Sequence, residues 1–181
     1  MIEHTVYKKK SRKNEILLVC LYVDDIIYMG FSQDLIKDFR SAIKKSFEMT
    51  DLGLSHYFLG LQIMQTESGI FISQQKYATD LIERFNMLGC KETATPANSN
   101  EKLQSNDGLG DANAKRYRSL IGDLIYLSYI QPDIMYAVSL VLRFMAKPSK
   151  HQFRAAKRIM RYIARTTDYG IWYGATNEPK L

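Results

Sequence analysis

Asp24 and Asp25 stand side by side at the end of an apolar run from Ile16 to Val23, and apolar residues resume at Ile26, Ile27, Tyr28 and Met29. Adjacent carboxylates repel each other unless a cation neutralises them. Mg²⁺ accepts one or two carboxylates together with substrate phosphates, and two such ions about 4 Å apart stabilise both oxygens of a phosphoryl transfer. The pair therefore suits metal-dependent phosphoryl transfer. A polar hairpin turn is the plainer reading of two aspartates. Against it, the flanks stay apolar up to the acids, and neither acid is the Gly or Asn that tight hairpins favour. A prenyl-transfer type of aspartate motif would need further acids nearby, and residues 26–29 supply none.

A second constellation is basic. Arg143, Lys147, Lys150, Arg154, Lys157, Arg158, Arg161 and Arg165 follow one another with no acid between them. Arg154, Arg158, Arg161 and Arg165 keep the i, i+4, i+7, i+11 spacing of a single helical stripe, beside an apolar face of Phe153, Ala156, Met160 and Ile163. Such a stripe is either a solvated face or a surface that follows phosphates.

These residues need elements to hold them. The pattern predicts strands at 4–8, 15–22 and 26–29, the second apolar on both faces and so covered on both. Ser32 offers an N-cap to a helix with Leu35, Ile36, Phe39, Ile43 and Phe47 on one side. Two short strands follow at 57–65 and 70–73, then a helix from Tyr77 to Leu88 closed by Gly89. Residues 91–113 are rich in Asn, Ser, Thr and Gly and read as a linker. Beyond them, 117–127, 134–145 and 149–165 are helical, with Pro132 at a first turn, and 169–173 is a terminal strand. The expected class is α+β, in four parts: 1–90, a linker at 91–113, a helical lobe at 114–173 and a tail at 174–181. Because 15–22 needs cover, residues 1–90 are expected to behave poorly alone, and 114–170 better.

The bulk numbers fit that division. The chain has 181 residues, 46% hydrophobic and 24% charged, with a net charge of +6 that suits a polyanionic partner. The apolar run at 16–23 is too short to span a bilayer, and the first residues have no apolar signal core. No membrane partner is expected. Two cysteines, Cys20 and Cys90, do not make a disulfide framework, so an intracellular setting is expected.

Tyr22-Val23-Asp24-Asp25 resembles the YVDD box of reverse transcriptases, and more of the chain follows in order. Asp51-Leu52-Gly53, then Tyr57-Phe58-Leu59-Gly60-Leu61-Gln62-Ile63, then Gln74 and Tyr77, resemble the copia-type retrotransposon enzymes. So do Tyr117-Arg118-Ser119-Leu120-Ile121-Gly122, Pro132-Asp133-Ile134 with Ala137-Val138, and Ala155-Ala156-Lys157-Arg158-Ile159 with Arg161-Tyr162. Gln131 departs from the usual Arg, and Ala164-Arg165-Thr166 from the usual Lys-Gly-Thr.

The resemblance implies a partial polymerase palm of antiparallel strands and helices over 1–90, followed by a helical thumb-like lobe. Asp24 and Asp25 would be catalytic ligands of Mg²⁺ or Mn²⁺, and Tyr22 and Val23 would lie near the primer end. Phe58, Leu59 and Gly60 would form a primer-grip hairpin. Arg154, Lys157, Arg158, Arg161 and Arg165 would meet the RNA/DNA template–primer duplex. The family's D-x-x-x-A-F element, whose aspartate completes the metal site, and its L-Y-G-L-K-Q-like element have no match in residues 1–23. Residues 170–173 match the approach to the family's ribonuclease H domain. The implied function is RNA-directed DNA synthesis, with this stretch inactive alone and dependent on the fingers, the rest of the palm and ribonuclease H as partners. A non-catalytic nucleic-acid-binding module or a functionless relic reading frame is the alternative.

Overall fold

The computed structural model describes residues 5–11, 14–98 and 100–175, which leaves His4, Ser99 and 176–181 of the expected strand, linker and tail outside the described residues. The chain divides into two compact units, 1–55 and 56–181. Among the described residues no helix is long and apolar enough to cross a membrane.

In the first unit β1 (Val6–Lys10), β2 (Ile16–Tyr22) and β3 (Asp25–Gly30) form an antiparallel meander, with Val6 opposite Cys20 and Leu17 opposite Gly30. Helix α1 (Gln33–Ser46) packs on β3, where the Phe39 ring lies 5.2 Å from that of Tyr28. Gly30 sits close to β2, where a Cβ would crowd the Ile16 carbonyl at 3.1 Å and Leu17 at 3.3 Å. Of β2 only Leu17 is buried; the rest of the strand is half-buried or exposed. Cover on both faces, expected from the sequence, is therefore not present within this unit, since one helix can cover only one face of a sheet.

Asp51-Leu52-Gly53 closes the unit. The Asp51 carboxylate accepts from the Gly53 amide at 3.0 Å, as Asp does in an Asx-turn, and pairs with Arg40 of α1 at 2.8 Å. The Gly53 hydrogen bond, helped by Arg40 and Lys44, holds the Asp51 carboxyl below the usual carboxylate range. Arg40 also donates to the Tyr28 hydroxyl at 3.2 Å, so this one guanidinium joins helix, sheet and turn.

The second unit holds a four-stranded antiparallel sheet in the order β4 (Tyr57–Phe58), β5 (Leu61–Thr66), β6 (Gly69–Ser73), β7 (Gly170–Gly174). Its helices are α2 (Gln75–Arg84), α3 (Ala114–Leu127), α4 (Met135–Leu142) and α5 (Lys150–Ile163), with a 3-10 turn at Pro132–Ile134 before α4. The core joins Ala78, Leu81 and Ile82 of α2, and Phe85 just after it, to Tyr117, Leu120, Ile121, Leu124 and Leu127 of α3 and to the inner faces of α4 and α5. Helix α2 thus buries its apolar face against the later helices, inside the unit 56–181.

The expected strand at 57–65 is broken at Leu59-Gly60 into β4 and β5, and two helix C-terminal ends differ from the sequence reading. Helix α2 stops at Arg84, four residues short of the expected Leu88. The Met87 amide bonds the Ile82 carbonyl at 2.9 Å and the Asn86 amide bonds Glu83 at 2.8 Å, with Asn86 at φ 55°. That is a Schellman motif with Asn, not Gly89, in the left-handed position. Helix α4 ends at Leu142 rather than near 145, and the Phe144 amide bonds Val141 in the tighter i→i+3 pattern. The described residues of 91–113 carry no helix or named strand, yet they run along α5 as a strap. The Lys150 amide bonds Gly110 at 2.9 Å, Gln152 Nε2 bonds the Gln104 carbonyl at 2.7 Å, and the Thr93 amide bonds Arg161 at 3.3 Å.

A cut between α2 and α3 would divide this shared core. Residues 56–175 should unfold cooperatively, whereas 114–175, stripped of α2, should be molten, since it leaves the α3 face of Tyr117, Leu120 and Leu124 bare. Thermal unfolding followed by near-ultraviolet circular dichroism distinguishes them; a sharp transition for 114–175 would show that α2 is dispensable.

Candidate functional site

The two aspartates lie at the tip of the β2–β3 hairpin. Tyr22 pairs with Asp25, so the two-residue loop is Val23-Asp24 and not Asp24-Asp25. Val23 has φ 51°, and Asp24 is not among the residues with positive φ. A positive φ at the first loop residue alone is the type II′ arrangement, which favours Gly there. A β-branched residue in that region is strained by about 1–3 kcal/mol. Tyr22, Val23, Asp24 and Asp25 are all exposed, Val23 at 79%. No described residue hydrogen-bonds or ion-pairs with either carboxylate. Two open carboxylates fit a hard cation that takes its other ligands from water and phosphate. Among the described residues, no group of three or more His, Cys, Asp or Glu is assembled for a metal.

In the second unit, Phe58, Leu59 and Gly60 form the β4–β5 hairpin tip. Leu59 (φ 48°) and Gly60 (φ 81°) are the loop, and Phe58 pairs with Leu61. Positive φ at both loop residues is the type I′ turn. Four described non-glycine residues have positive φ. Asn14 and Asn86 tolerate it; Val23 and Leu59 do not, and both sit at the hairpin tips that carry candidate chemistry.

The β4–β5 hairpin is tied to the helices by groups that sequence reading did not single out. The Tyr126 hydroxyl of α3 donates to the Leu59 carbonyl, and its ring meets Tyr77 of α2 edge-on at 4.8 Å. Tyr77 donates to Asp123 at 2.8 Å, and Asp123 pairs with Arg84 at 2.7 Å. Gln62 of β5 accepts from the Lys76 amide at 2.8 Å and so caps α2. Tyr77 and Gln62 were visible as parts of the resemblance. Tyr126 and Asp123, one helical step apart and off the buried stripe of α3, gave no signal beyond their position.

The arginine stripe is divided. Arg154 and Arg165 are exposed, and Lys157 lies with its ammonium 5.4 Å from the Phe153 ring centroid. Arg158 and Arg161 are half-buried under the strap. Arg158 donates to Thr95 Oγ1 at 2.9 Å, and Arg161 donates to the Lys91 carbonyl. Gln131, the departure noted in sequence, is buried and donates to the Thr166 carbonyl at 2.8 Å. The Tyr117 hydroxyl, at the head of its motif, donates to the buried Val141 carbonyl at 2.7 Å, and burial pushes that phenol up.

The chain thus carries an apolar hairpin with paired acids at its tip and, further along, an α+β unit with a second tight hairpin. Residues 1–99 match the family described as reverse transcriptase (RNA-dependent DNA polymerase), and the chain belongs to that family. It is 35% identical over 171 residues to the retrovirus-related Pol polyprotein from transposon RE2 of Arabidopsis thaliana, covering 94% of this chain. It is 34% identical over 181 residues to that from transposon TNT 1-94 of Nicotiana tabacum, covering 95% of this chain. An uncharacterised mitochondrial protein of Arabidopsis thaliana is 38% identical over 159 residues, which cover 86% of this chain and 65% of that protein. The chain spans 12% of the RE2 polyprotein and 14% of the TNT 1-94 polyprotein. No solved structure matches.

Burial, then the Asp123 hydrogen bond, pushes the Tyr77 phenol up to about 12. The folded state therefore favours the neutral phenol. Its contribution is fully present below the ordinary tyrosine pKa of about 10 and is lost as pH rises towards 12. Wild type should lose stability over that window more steeply than Tyr77→Phe, as read by urea unfolding at stepped pH; parallel curves would place Tyr77 ionisation outside the folding equilibrium.

Proposed function

We propose that this chain is the part of a retrotransposon reverse transcriptase that presents two metal-binding carboxylates and grips the template–primer duplex during RNA-directed DNA synthesis. The observation that carries the reading is the β2–β3 tip, where Asp24 and Asp25 are unpaired, open and set beside a strained Val23. A plain polar turn would have no need of that strain. Asp24 and Asp25 would hold Mg²⁺ or Mn²⁺, which supplies charge stabilisation to phosphoryl oxygens. Tyr22 and Val23 would border the primer end, and Phe58, Leu59 and Gly60 would grip it. Residues 1–90 serve as palm and 114–173 as thumb-like lobe in this reading, with 91–113 between them. An intracellular setting belongs to the same proposal, supported by Cys20 and Cys90 being free thiols.

On its own this 181-residue stretch is polymerase-inactive in our reading, since the family's D-x-x-x-A-F aspartate has no match in it. The fingers, upstream palm and ribonuclease H parts of a Pol polyprotein would be its working partners. Titrating Mn²⁺ into the 181-residue chain should broaden nuclear magnetic resonance signals around residues 22–26 first, and the double variant Asp24→Asn, Asp25→Asn should abolish this. Primer extension on a primed RNA template should stay at the buffer blank. Broadening that survives the double variant would remove the metal role, and extension abolished by Asp24→Ala would overturn the inactivity.

Phosphate contact is assigned to the exposed Lys150, Arg154 and Arg165 and to the half-buried Lys157, with Arg158 and Arg161 committed to the strap. Arg154→Ala with Arg165→Ala should reduce the slope of log affinity against log salt by about 2 for duplex DNA. Arg158→Ala with Arg161→Ala should lower the melting temperature instead and leave the slope nearly unchanged. Equal slopes for wild type and the first pair would take α5 out of the nucleic-acid surface.

A further inference from the structure

We infer that Tyr126 is a positioning residue for the primer terminus, acting through the β4–β5 hairpin tip that it props from α3. The inference rests on reading that hairpin as the primer grip, and it adds a residue on a separate helix. The geometry is built from both sides. From the helix, the Tyr126 hydroxyl donates to the Leu59 carbonyl, the peptide group at the turn itself. From the hairpin, Gly60 leaves room for it, since a Cβ at Gly60 would stand 2.8 Å from the Tyr126 hydroxyl oxygen.

The strut is itself braced. Gln74, buried at the head of α2, donates to the Tyr126 carbonyl at 3.3 Å. The edge-on contact with Tyr77 fixes the Tyr126 ring, and the Tyr77–Asp123–Arg84 chain fixes Tyr77. Arg84 lies at the C-terminal turn of α2, where its charge also complements the helix dipole. A two-stranded hairpin in which β4 has only two residues has little rigidity of its own. Leu59 adds strain at the tip, which only surrounding structure can hold in place. Tyr126 is the described side chain that reaches the turn carbonyl, so it sets where the tip stands relative to the helices that follow.

A side chain that only stabilised the fold would weaken all binding together. A positioning residue should affect the primer end selectively. The probe is a DNA duplex with a recessed 3′ end carrying 2-aminopurine at the primer terminus, compared with a blunt duplex of equal length. Both are bound to the full 181-residue chain. Wild type should prefer the recessed end. Tyr126→Phe keeps the ring and removes the hydroxyl, and it should lower that preference by roughly two- to tenfold, the range for one neutral hydrogen bond. Its affinity for the blunt duplex and its melting temperature should stay close to wild type. Gly60→Ala, which presses on the same hydroxyl from the hairpin side, should reproduce the loss and serves as the second variant if Tyr126→Phe does not fold. If wild type shows no preference, the primer-grip reading itself fails and this inference with it. If wild type shows the preference and both variants retain it, the grip stands and Tyr126 has no positioning role.

Discussion

Burial of one face of α3 is the constraint on which the larger unit depends. Tyr117, Leu120, Ile121, Leu124 and Leu127 are all fully buried, and no single neighbouring helix could cover them. Complete burial of side chains of this size contributes about 1.5–3 kcal/mol each, against the entropy of ordering them. Covering the stripe brings α2 from one side of a long polar segment to α4 and α5 on the other. Once α2 is fixed, β5 and β6 before it are fixed as well, through the Gln62 cap and the short step from Ser73 to Gln75. Tyr126, off that buried stripe, is then left to reach the Leu59 carbonyl of the β4–β5 hairpin, while Asp123 pairs with Tyr77 and Arg84 of α2. Packing on one side of this helix thus positions the hairpin contact on the other.

Strain has a pattern in this molecule. Backbone that L-residues avoid is given to Asn where it ends α2, and to Gly at Gly53, Gly89, Gly108 and Gly110 in turns. At the tips of the two hairpins it is given to Val23 and Leu59. Natural turns at these places would be easier with Gly or Asn. Both tips instead present an exposed apolar side chain. The membership of the family comes from the length of the match over 1–99.

The basic helix illustrates how an intramolecular partner can take up a charge pattern. Spacing alone puts four arginines on one stripe. The strap then supplies a hydroxyl and a carbonyl acceptor to the middle two. A guanidinium has several donors in a fixed fork, which makes it as good an anchor for an irregular segment as it is a phosphate ligand. The Ser149–Gln152 capping box and the Gln104, Glu101 and Asp107 contacts complete the attachment at the other end of α5.

Local pattern by itself marked the elements and the candidate chemistry. A continuous apolar run interrupted by two acids marked β2 and β3, helical period marked α1 to α5, Ser149 marked the start of α5, and the Tyr-Val-Asp-Asp run marked the paired acids. Those signals reside in a few consecutive residues and survive without a fold. Tertiary structure alone decided the rest. Strand β7 pairs with β6 across about a hundred residues, with Gly170 opposite Ser73 and Gly69 opposite Gly174, and no local property of either strand names its partner. The boundary at 55/56 follows from where α2 finds its cover, although the composition change lies near 91. Val23 rather than Asp25 entered the turn because hairpin register is set by the Tyr22–Asp25 pairing, which one residue of slip would have altered. The division of the arginines, and the reach of Tyr126 to Leu59, depend on segments 63 to 70 residues apart in sequence meeting in space. Contacts of that separation are a property of the packed chain and are not encoded in any window of it.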